Sequence, residues 1–438
     1  MITPNETSQK LLDFIKSSPS SFHAAATTAK KLDEQGFVRL DESAEWVLDK
    51  GGKYYVTRNS SAILAFIIPD EPDGGFMITA AHDDSPSFKL KPNLELDGPD
   101  GYTRINAERY GGAMLDTWFD RPLSVAGRVI LRETDGSRTR FTEKLVDFDR
   151  DLVMIPHVAP HMMNPSDMKS NLAVDLVPLY GIGAKGKFLH TLAELAGADE
   201  DKIAAYDLFL YNRQNQSIWG ADNEFISSPK LDDLQCVFCA LEAICDAKAS
   251  TSIPVMYITD NEEVGCVSRQ GANSDLLSFT LARISHALGR SESEHMRALA
   301  SSMMMSADNA HAVHPNHAEL ADPTHRPHMN KGIVMKYNSA LLYTSDSLSG
   351  AIMTEICRRE NVPLQLFCNR SDIRGGSTLG VASSTQVSVM SVDVGIAQLA
   401  MHSSYETAGT LDTGYMINAM RGFYQSSLSV SYDHVELV

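Results

Sequence analysis

The sequence contains no hydrophobic segment long enough to cross a membrane. Its longest uninterrupted apolar run, residues 62–68, covers seven residues, whereas a transmembrane helix needs about 20. The N-terminus has no basic stretch followed by an apolar core, so we expect no secretory signal. Membrane-embedded and secreted proteins are therefore disfavoured as classes.

Cysteine and positive charge are also scarce. Six cysteines occur among 438 residues without the pattern of a disulfide framework, which favours a reducing cytoplasm. Lysine and arginine total 38 against 56 acidic residues, which gives a net charge of −18. Nucleic acids and anionic membranes are poor partners for such a chain, because both bind to positive fields. His-Glu-x-x-His and Gly-x-Ser-x-Gly are absent, so two common hydrolase signatures have no support.

The apolar pattern predicts a large α/β domain that is interrupted in sequence. The length corresponds to two or three domains at roughly 150 residues each. Helices and strands alternate through residues 217–438, which is typical of a mixed, mostly parallel sheet flanked by helices. Residues 92–216 carry a hairpin signal and indicate a β-rich module. We therefore predict one discontinuous domain, 1–91 with 217–438, and an inserted domain, 92–216.

Clusters of metal-binding residue types follow four predicted strands. Ligands bind beyond the carboxyl ends of strands in open α/β sheets, so these clusters are expected to form one site. A fifth cluster opens a predicted helix at residues 230–247. The candidate metal ligands are His82, Asp232, Glu263, Asp308 and His402.

This set suits two zinc ions. Zinc binds imidazole nitrogen and carboxylate oxygen and keeps a position open for water in catalytic sites. Two ions about 3.5–4 Å apart need a bridging carboxylate and a bridging hydroxide. Glu262, next to the ligand Glu263, is then free to act as general base. Asp84 can accept the second imidazole N–H of His82 and fix its orientation.

Each cluster also has a purely structural interpretation. An Asp232-Asp233 pair is common at a helix N-terminus, a glutamate pair is common in a solvated turn, and a single histidine is usually structural. The joint occurrence of the clusters after predicted strands supports a metal site, whereas residue spacing alone leaves both interpretations open.

Longer motifs support a more specific hypothesis. They are Ser18-Pro19-Ser20-Ser21-Phe22-His23, Ala81-His82-Asp83-Asp84-Ser85-Pro86, Tyr110-Gly111-Gly112 with Thr117-Trp118-Phe119-Asp120-Arg121, Pro229-Lys230-Leu231-Asp232-Asp233, Asp260-Asn261-Glu262-Glu263-Val264-Gly265, residues 306–316 and Ala400-Met401-His402-Ser403. In residues and order they resemble the motifs of the aspartyl aminopeptidase family of dinuclear metallopeptidases. The resemblance covers nearly the whole chain.

The resemblance implies a cytoplasmic zinc metalloprotease, an aminopeptidase that hydrolyses the first peptide bond of peptide substrates through a di-zinc-bound hydroxide. Two divalent ions per subunit are expected, most commonly Zn2+, with Co2+ or Mn2+ as alternatives. Asp232 is expected to bridge them, with His82 and Asp308 completing one site and Glu263 and His402 the other. The family further implies a tetrahedral homododecamer in which the inserted domain forms dimer contacts and partly covers the active site.

The resemblance also suggests substrate contacts. His161 falls where the family has a histidine that reaches a neighbouring subunit's active site. Lys336 falls where a lysine meets an acidic substrate side chain, which predicts a preference for N-terminal Asp or Glu. His314 is a further candidate contact. Residues 340–344 lack the Gln-Arg pair common after the lysine segment, so a preference for neutral residues such as leucine stays open.

Two positions depart from the family pattern in other ways. Asp233 stands where asparagine usually follows the bridging aspartate, and the peptide bond before it is expected to be cis, as in related enzymes. Val381 replaces a usual proline.

Two remote alternatives belong to other functional classes. Residues 181–186, Gly-Ile-Gly-Ala-Lys-Gly, fit the glycine fingerprint of NAD-dependent oxidoreductases. Pro178 interrupts the strand that should precede this fingerprint. A non-catalytic, metal-stabilised scaffold is the other alternative, although all proposed ligands and the proposed base are present.

Overall fold

The structure is a computed structural model that describes residues 4–162 and 171–438. Its helices are α1 (Pro4–Lys16), α2 (Ser21–Glu34), α3 (Lys187–Ala196), α4 (Leu231–Asp246), α5 (Leu276–Ala287), α6 (Glu292–Ala300), α7 (Ser347–Arg359), α8 (Leu379–Gln386) and α9 (Asp412–Tyr424). Its strands are β1 (Val38–Arg39), β2 (Lys53–Arg58), β3 (Ala62–Ile67), β4 (Phe76–His82), β5 (Ser87–Asp97), β6 (Tyr102–Tyr110), β7 (Leu123–Asp135), β8 (Arg138–Asp147), β9 (Leu179–Ile182), β10 (Ile203–Asn212), β11 (Ser217–Trp219), β12 (Phe225–Ser228), β13 (Ile253–Thr259), β14 (Met303–Ala307), β15 (Ala310–His311), β16 (Ile333–Tyr337), β17 (Leu364–Cys368), β18 (Met390–Gly395), β19 (Ala397–Leu399), β20 (Glu406–Gly409), β21 (Leu428–Val430) and β22 (Val435–Leu437). No helix in these ranges is long and apolar enough to cross a membrane.

A nine-stranded mixed sheet carries the main core, in the order β1-β2-β3-β13-β4-β14-β18-β16-β17. Its central strands β13, β4, β14 and β18 are mutually parallel. Alternate residues of β4 pack into different clusters, Met77 with the helices α4, α7 and α9 and Ile78 with α5. A sheet covered on both faces explains the uninterrupted apolar runs in the sequence. The predicted fold class, a mostly parallel sheet flanked by helices, is confirmed.

The parallel strands bring the polar clusters to one edge. β4 ends at His82, and β13, β14 and β18 run in the same direction and end beside it. Helix α4 begins at Leu231 and contacts β4. The segments that follow these strands therefore meet in space, although they are far apart in sequence.

A second, six-stranded sheet has the order β8-β7-β10-β5-β6-β9, and all its pairings are antiparallel. Its core includes Phe88, Val129, Leu208 and, from helix α3, Phe188. The strands of this sheet span residues 87–212, close to the predicted insertion 92–216. The division into two domains stays a prediction.

Arg128 on β7 joins this second sheet to the N-terminal part of the chain. Its side chain is 12% exposed. The guanidinium donates to Asp207 at 3.0 Å, to Glu143 at 3.0 Å and to the backbone oxygen of Asn59 at 2.9 Å. It also lies 4.3 Å from the ring centre of Phe22 on α2. One side chain thus makes charged contacts within the second sheet and polar and aromatic contacts with the N-terminal part of the chain.

We expect Arg128→Ala to lower the free energy of unfolding by about 2 kcal/mol, because it leaves carboxylates and a backbone oxygen without their donor. Lys89 still pairs with Asp207 at 2.8 Å, which limits the loss. Arg140→Ala, at an exposed position on β8, is the matched control and should change it by less than about 0.5 kcal/mol. Denaturant titration compares the two variants. Equal unfolding midpoints would contradict the claim that the contacts of Arg128 stabilise the fold.

Candidate metal centre

The five predicted ligands lie together at the strand-end edge of the main sheet. The Nε2 atom of His82 is 3.5 Å from Oδ1 of Asp232, and the Nε2 atom of His402 is 3.6 Å from Oδ2. His402 Nε2 is also 3.4 Å from Oε1 of Glu263. The two oxygens of Asp232 therefore face different histidines. A carboxylate shared by two cations has this arrangement.

Asp308 joins the same centre through a group of aspartates. Ligand atoms of Asp232, Asp233 and Asp308 all lie within 4.8 Å of one another. The peptide bond between Asp232 and Asp233 is cis, as the resemblance implies. One oxygen of Asp233 accepts the backbone N–H of His82 at 3.3 Å. Asp233 is not among the five predicted ligands, and the structure places it inside the cluster.

The electrostatics of the cluster call for a cation. Burial, reinforced by the charge of Asp232, raises the pKa of Glu263 well above its ordinary value. Burial likewise raises the pKa of Asp233 and of Asp308. Within the described part of the chain, Oδ1 of Asp232 and Oε1 of Glu263 accept no hydrogen bond. Buried, unpartnered carboxylate oxygens beside two imidazoles form a donor set that fits zinc.

Glu262 lies beside the ligands without joining them. It begins a short 3-10 turn after β13 and lines a pocket of about 280 Å³ that all five predicted ligands also line. Glu263 belongs to a ligand group whose atoms lie within 4.8 Å, and neither group found in the described residues includes Glu262. Burial raises the pKa of Glu262 to about 8. Both glutamates line the pocket, and of the two only Glu263 belongs to a ligand group found in the described residues.

Asp84 connects the histidine to the glutamate pair. Its Oδ1 accepts the backbone N–H of Glu262 at 3.0 Å, and its Oδ2 accepts that of Glu263 at 3.2 Å. The Nδ1 atom of His82 lies 3.1 Å from the backbone oxygen of Asp84 and 3.4 Å from its Oδ1. Tyr110 donates its hydroxyl to Oδ2 at 2.8 Å. Asp84 thus contacts a predicted ligand and also places the turn that carries the predicted base.

Glu406, the first residue of β20, supports the centre but was not among the predicted site residues. Its buried carboxylate accepts the backbone N–H of His402 at 2.7 Å and that of Asp232 at 3.0 Å. Ser85 holds Asp232 from another side, through a hydrogen bond from its hydroxyl to the backbone oxygen at 2.9 Å. No motif marks Glu406, and its spacing of four residues from His402 was the only available signal.

The three predicted substrate contacts occupy different places. Lys336 lines the pocket, is 3% exposed, and donates to the backbone oxygen of Asn309 at 3.0 Å. His161 is exposed in the turn Pro160–Met162. His314 lines a neighbouring cavity of about 300 Å³ together with His317 rather than the pocket that holds the ligands. Only Lys336 is therefore placed beside the ligands by this chain.

The glycine fingerprint at residues 181–186 has a structural use. Its strand, β9, pairs antiparallel with β6 at the edge of the second sheet, so it is not part of a parallel β-α-β unit. The carboxylate of Glu95 accepts the N–H of Gly186 at 2.6 Å and that of Phe188 at 3.0 Å. This chain's own carboxylate occupies the helix N-terminus that a pyrophosphate needs, and the dinucleotide alternative has no support.

Comparison with known proteins identifies relatives along the whole chain. A family model described as aminopeptidase I zinc metalloprotease (M18) matches residues 14–424. A probable M18 family aminopeptidase 2 of Clostridium acetobutylicum is 44% identical over 430 residues, which cover 96% of this chain and 98% of that protein. The protein of the same name from Ectopseudomonas mendocina is 38% identical over 432 residues, with coverage of 96% and 98%.

Solved structures agree with these sequence relatives. The structure of Chaetomium thermophilum mApe1 has a TM-score of 0.87 at 31% identity, and the match covers 97% of this chain and 98% of that one. The structure of the S. cerevesiae mApe1 dodecamer has a TM-score of 0.82 at 28% identity, with coverage of 95% and 96%.

Proposed function

This chain belongs to the M18 family of aminopeptidase I zinc metalloproteases and is a metalloaminopeptidase, and from that premise we propose its metal count, its catalytic residues and its substrate preference. The proposed enzyme uses two divalent ions per subunit, most commonly Zn2+ with Co2+ or Mn2+ as alternatives. It releases the N-terminal residue of peptides and prefers Asp or Glu at that position.

One observation carries the proposal of two ions, namely that the oxygens of Asp232 face different histidines at 3.5 and 3.6 Å. We assign His82 and Asp308 to one ion, Glu263 and His402 to the other, and Asp232 to both. Held by these residues, two such ions would supply polarisation of the substrate carbonyl and a lower pKa for a water molecule.

The chain's own residues supply the proton transfers. The carboxylate of Glu262 faces the pocket, accepts a proton from the attacking water and returns it to the leaving amine. Asp84 holds the backbone of Glu262 and the ring of His82, so the base and a ligand keep a constant relative position. The bond between the first and second residues of the peptide breaks, and water adds across it.

Lys336 supports the acidic preference. Its ammonium group is buried in the pocket wall, where the charge of Asp308 helps to hold its pKa above the ordinary value despite burial. An ammonium has three donors. One of them bonds to Asn309, and Oδ1 of Asp308 lies 3.7 Å from the same nitrogen, so one donor remains for a substrate carboxylate. Tyr343 and Phe367 line the same pocket, and these apolar surfaces favour the alternative of a neutral first residue such as leucine.

Assembly and location complete the proposal. We propose a homo-oligomer similar to the S. cerevesiae mApe1 dodecamer, with the tetrahedral arrangement implied by the resemblance and the second sheet at the dimer contact. The exposed turn at His161 is accessible to a neighbouring subunit, consistent with a contribution to its active site. A cytoplasmic location stays a prediction from composition.

A panel of aminoacyl substrates tests the proposal. We expect kcat/KM for Asp and Glu substrates to exceed that for Leu and Ala substrates by about tenfold or more, because a buried ammonium pairs with a carboxylate. A chelator should abolish all of these activities, and added Zn2+ should restore them. Faster release of Leu would favour the neutral alternative, and activity that resists complete removal of metal would refute the metal mechanism.

A further inference from the structure

We propose that Asp393 is a positioning residue that sets the selectivity of the pocket for the first residue of the substrate. This inference rests on the proposed function, since it concerns the pocket that the substrate enters. Asp393 lies on the central strand β18 and is fully buried. It is neither a predicted ligand nor a residue that lines the pocket, so it acts through its neighbours.

The carboxylate of Asp393 binds two separate segments of the chain. Its Oδ2 accepts the backbone N–H of Thr344 at 2.5 Å and the hydroxyl of Thr344 at 2.6 Å. Its Oδ1 accepts the hydroxyl of Thr378 at 2.6 Å. The backbone N–H of Asp393 donates to the hydroxyl of Ser345 at 2.9 Å. A buried carboxylate that accepts three hydrogen bonds is well compensated, and such charge-assisted bonds are strong.

Both segments form walls of the pocket. Thr344 follows Tyr343. The ring centre of Tyr343 lies 5.5 Å from the ammonium of Lys336 and 6.2 Å from the ring centre of Phe367. Thr378 lines the pocket itself, next to Gly376 and Ser377. Residues 338–346 and 369–378 lie outside helices and strands, so no regular hydrogen-bonding pattern fixes them. Asp393 connects both walls to β18, a strand that is paired on both sides, with β14 and with β16.

The residues around the Asp393 carboxylate are closely packed. A Cβ atom at Gly380 would lie 2.7 Å from the hydroxyl of Ser306 and 3.2 Å from Oδ1 of Asp393. The start of α8 is therefore pressed closely against β14 and β18. Loss of a bond to Asp393 is expected to shift the wall beside Thr378 rather than the strands that carry the ligands, since the strands are held by their own ladders.

The mechanism predicts a change of selectivity at constant metal content. A wall that shifts alters how the first side chain of the substrate meets Lys336 and Tyr343, and substrates with different side chains respond differently. A merely structural role would lower the rates for all substrates in proportion. The ratio of kcat/KM between an acidic and a neutral aminoacyl substrate separates the two roles.

The test compares Thr378→Val with Thr378→Ser. Valine has the shape of threonine without the hydroxyl, whereas serine keeps it. We expect the valine variant to change the selectivity ratio by about tenfold, the serine variant to stay within about twofold, and the metal content per subunit to be unchanged in both. An unchanged ratio in the valine variant, or equal changes in both variants, would overturn the inference.

A second pair of variants tests the inference if the first pair folds poorly. Thr344→Val removes the other hydroxyl that donates to Asp393, and Thr344→Ser keeps it. We expect the same changes in the selectivity ratio as for the Thr378 variants. Thermal unfolding identifies any variant that is globally destabilised. The wild-type protein separates this inference from the proposed function. Wild-type activity that is independent of metal refutes the proposed function. If the wild type is active and metal-dependent, an unchanged selectivity ratio in the variants refutes only the role of Asp393.

Discussion

Replacing Glu262 by glutamine is expected to lower kcat by about 10³-fold, with little change in metal content or assembly. Glutamine keeps the shape of the side chain but cannot take up the proton of the attacking water. Metal content is expected to persist, because Glu262 contributes to neither ligand group in the described residues. Steady-state kinetics on the best aminoacyl substrate and elemental analysis of the purified protein measure the two quantities.

Glu263→Gln is the matched comparison. The same chemical change one residue later removes a carboxylate whose Oε1 lies 3.4 Å from Nε2 of His402, so metal content should fall together with activity. If Glu262→Gln cleaved peptides as fast as the wild type, the assignment of the base would be wrong. A wild-type protein that bound metal and assembled but cleaved no peptide would instead be a scaffold.

Asp232→Asn is expected to lower kcat/KM by at least about 10³-fold and to release at least one metal ion per subunit. An amide has the size of a carboxylate but lacks the negative charge that the two proposed dications would share, and zinc binds anionic carboxylate oxygen. Metal stoichiometry by elemental analysis and kcat/KM on the same substrate provide the measurement.

An exposed aspartate provides the control for this change. Asp100 lies in the turn between β5 and β6, and its φ of 51° is one that asparagine tolerates well. Asp100→Asn should therefore leave both metal content and activity unchanged. Retention of two metal ions and full activity in Asp232→Asn would show that Asp232 is not the shared ligand.

The sequence was most informative where apolar strands end in polar clusters. The strands that end near His82 and Thr259 are buried along their whole length, so their apolar runs stand out and their ends are well marked. Because the strands are parallel, their ends had to meet at one edge. The convergence of the candidate ligands follows from these two properties together.

Other features depend on contacts that no local pattern encodes. Glu406 and Asp393 are single acidic residues that no motif marks. Each has a partner far away in sequence, Asp232 for Glu406 at a separation of 174 residues and Thr344 for Asp393 at a separation of 49. The predicted boundary at residue 92 also falls inside β5, because that strand runs from Ser87 to Asp97 with alternating burial at its start. The change of composition indicated that residues 92–216 differ from the rest of the chain. The ends of the second sheet, however, depend on hydrogen bonds between strands, which composition does not show.

The dispersal of the centre along the chain also affects its biosynthesis. His82 leaves the ribosome well before His402 and Glu406, which lie 320 and 324 residues further along the chain. Strand β4 is flanked by β13 and β14, which are synthesised long after it, so the sheet assembles through contacts between distant segments, and such contacts form slowly. A chain that stops before residue 402 therefore lacks two residues of the proposed centre, and such a chain is expected not to hydrolyse peptides.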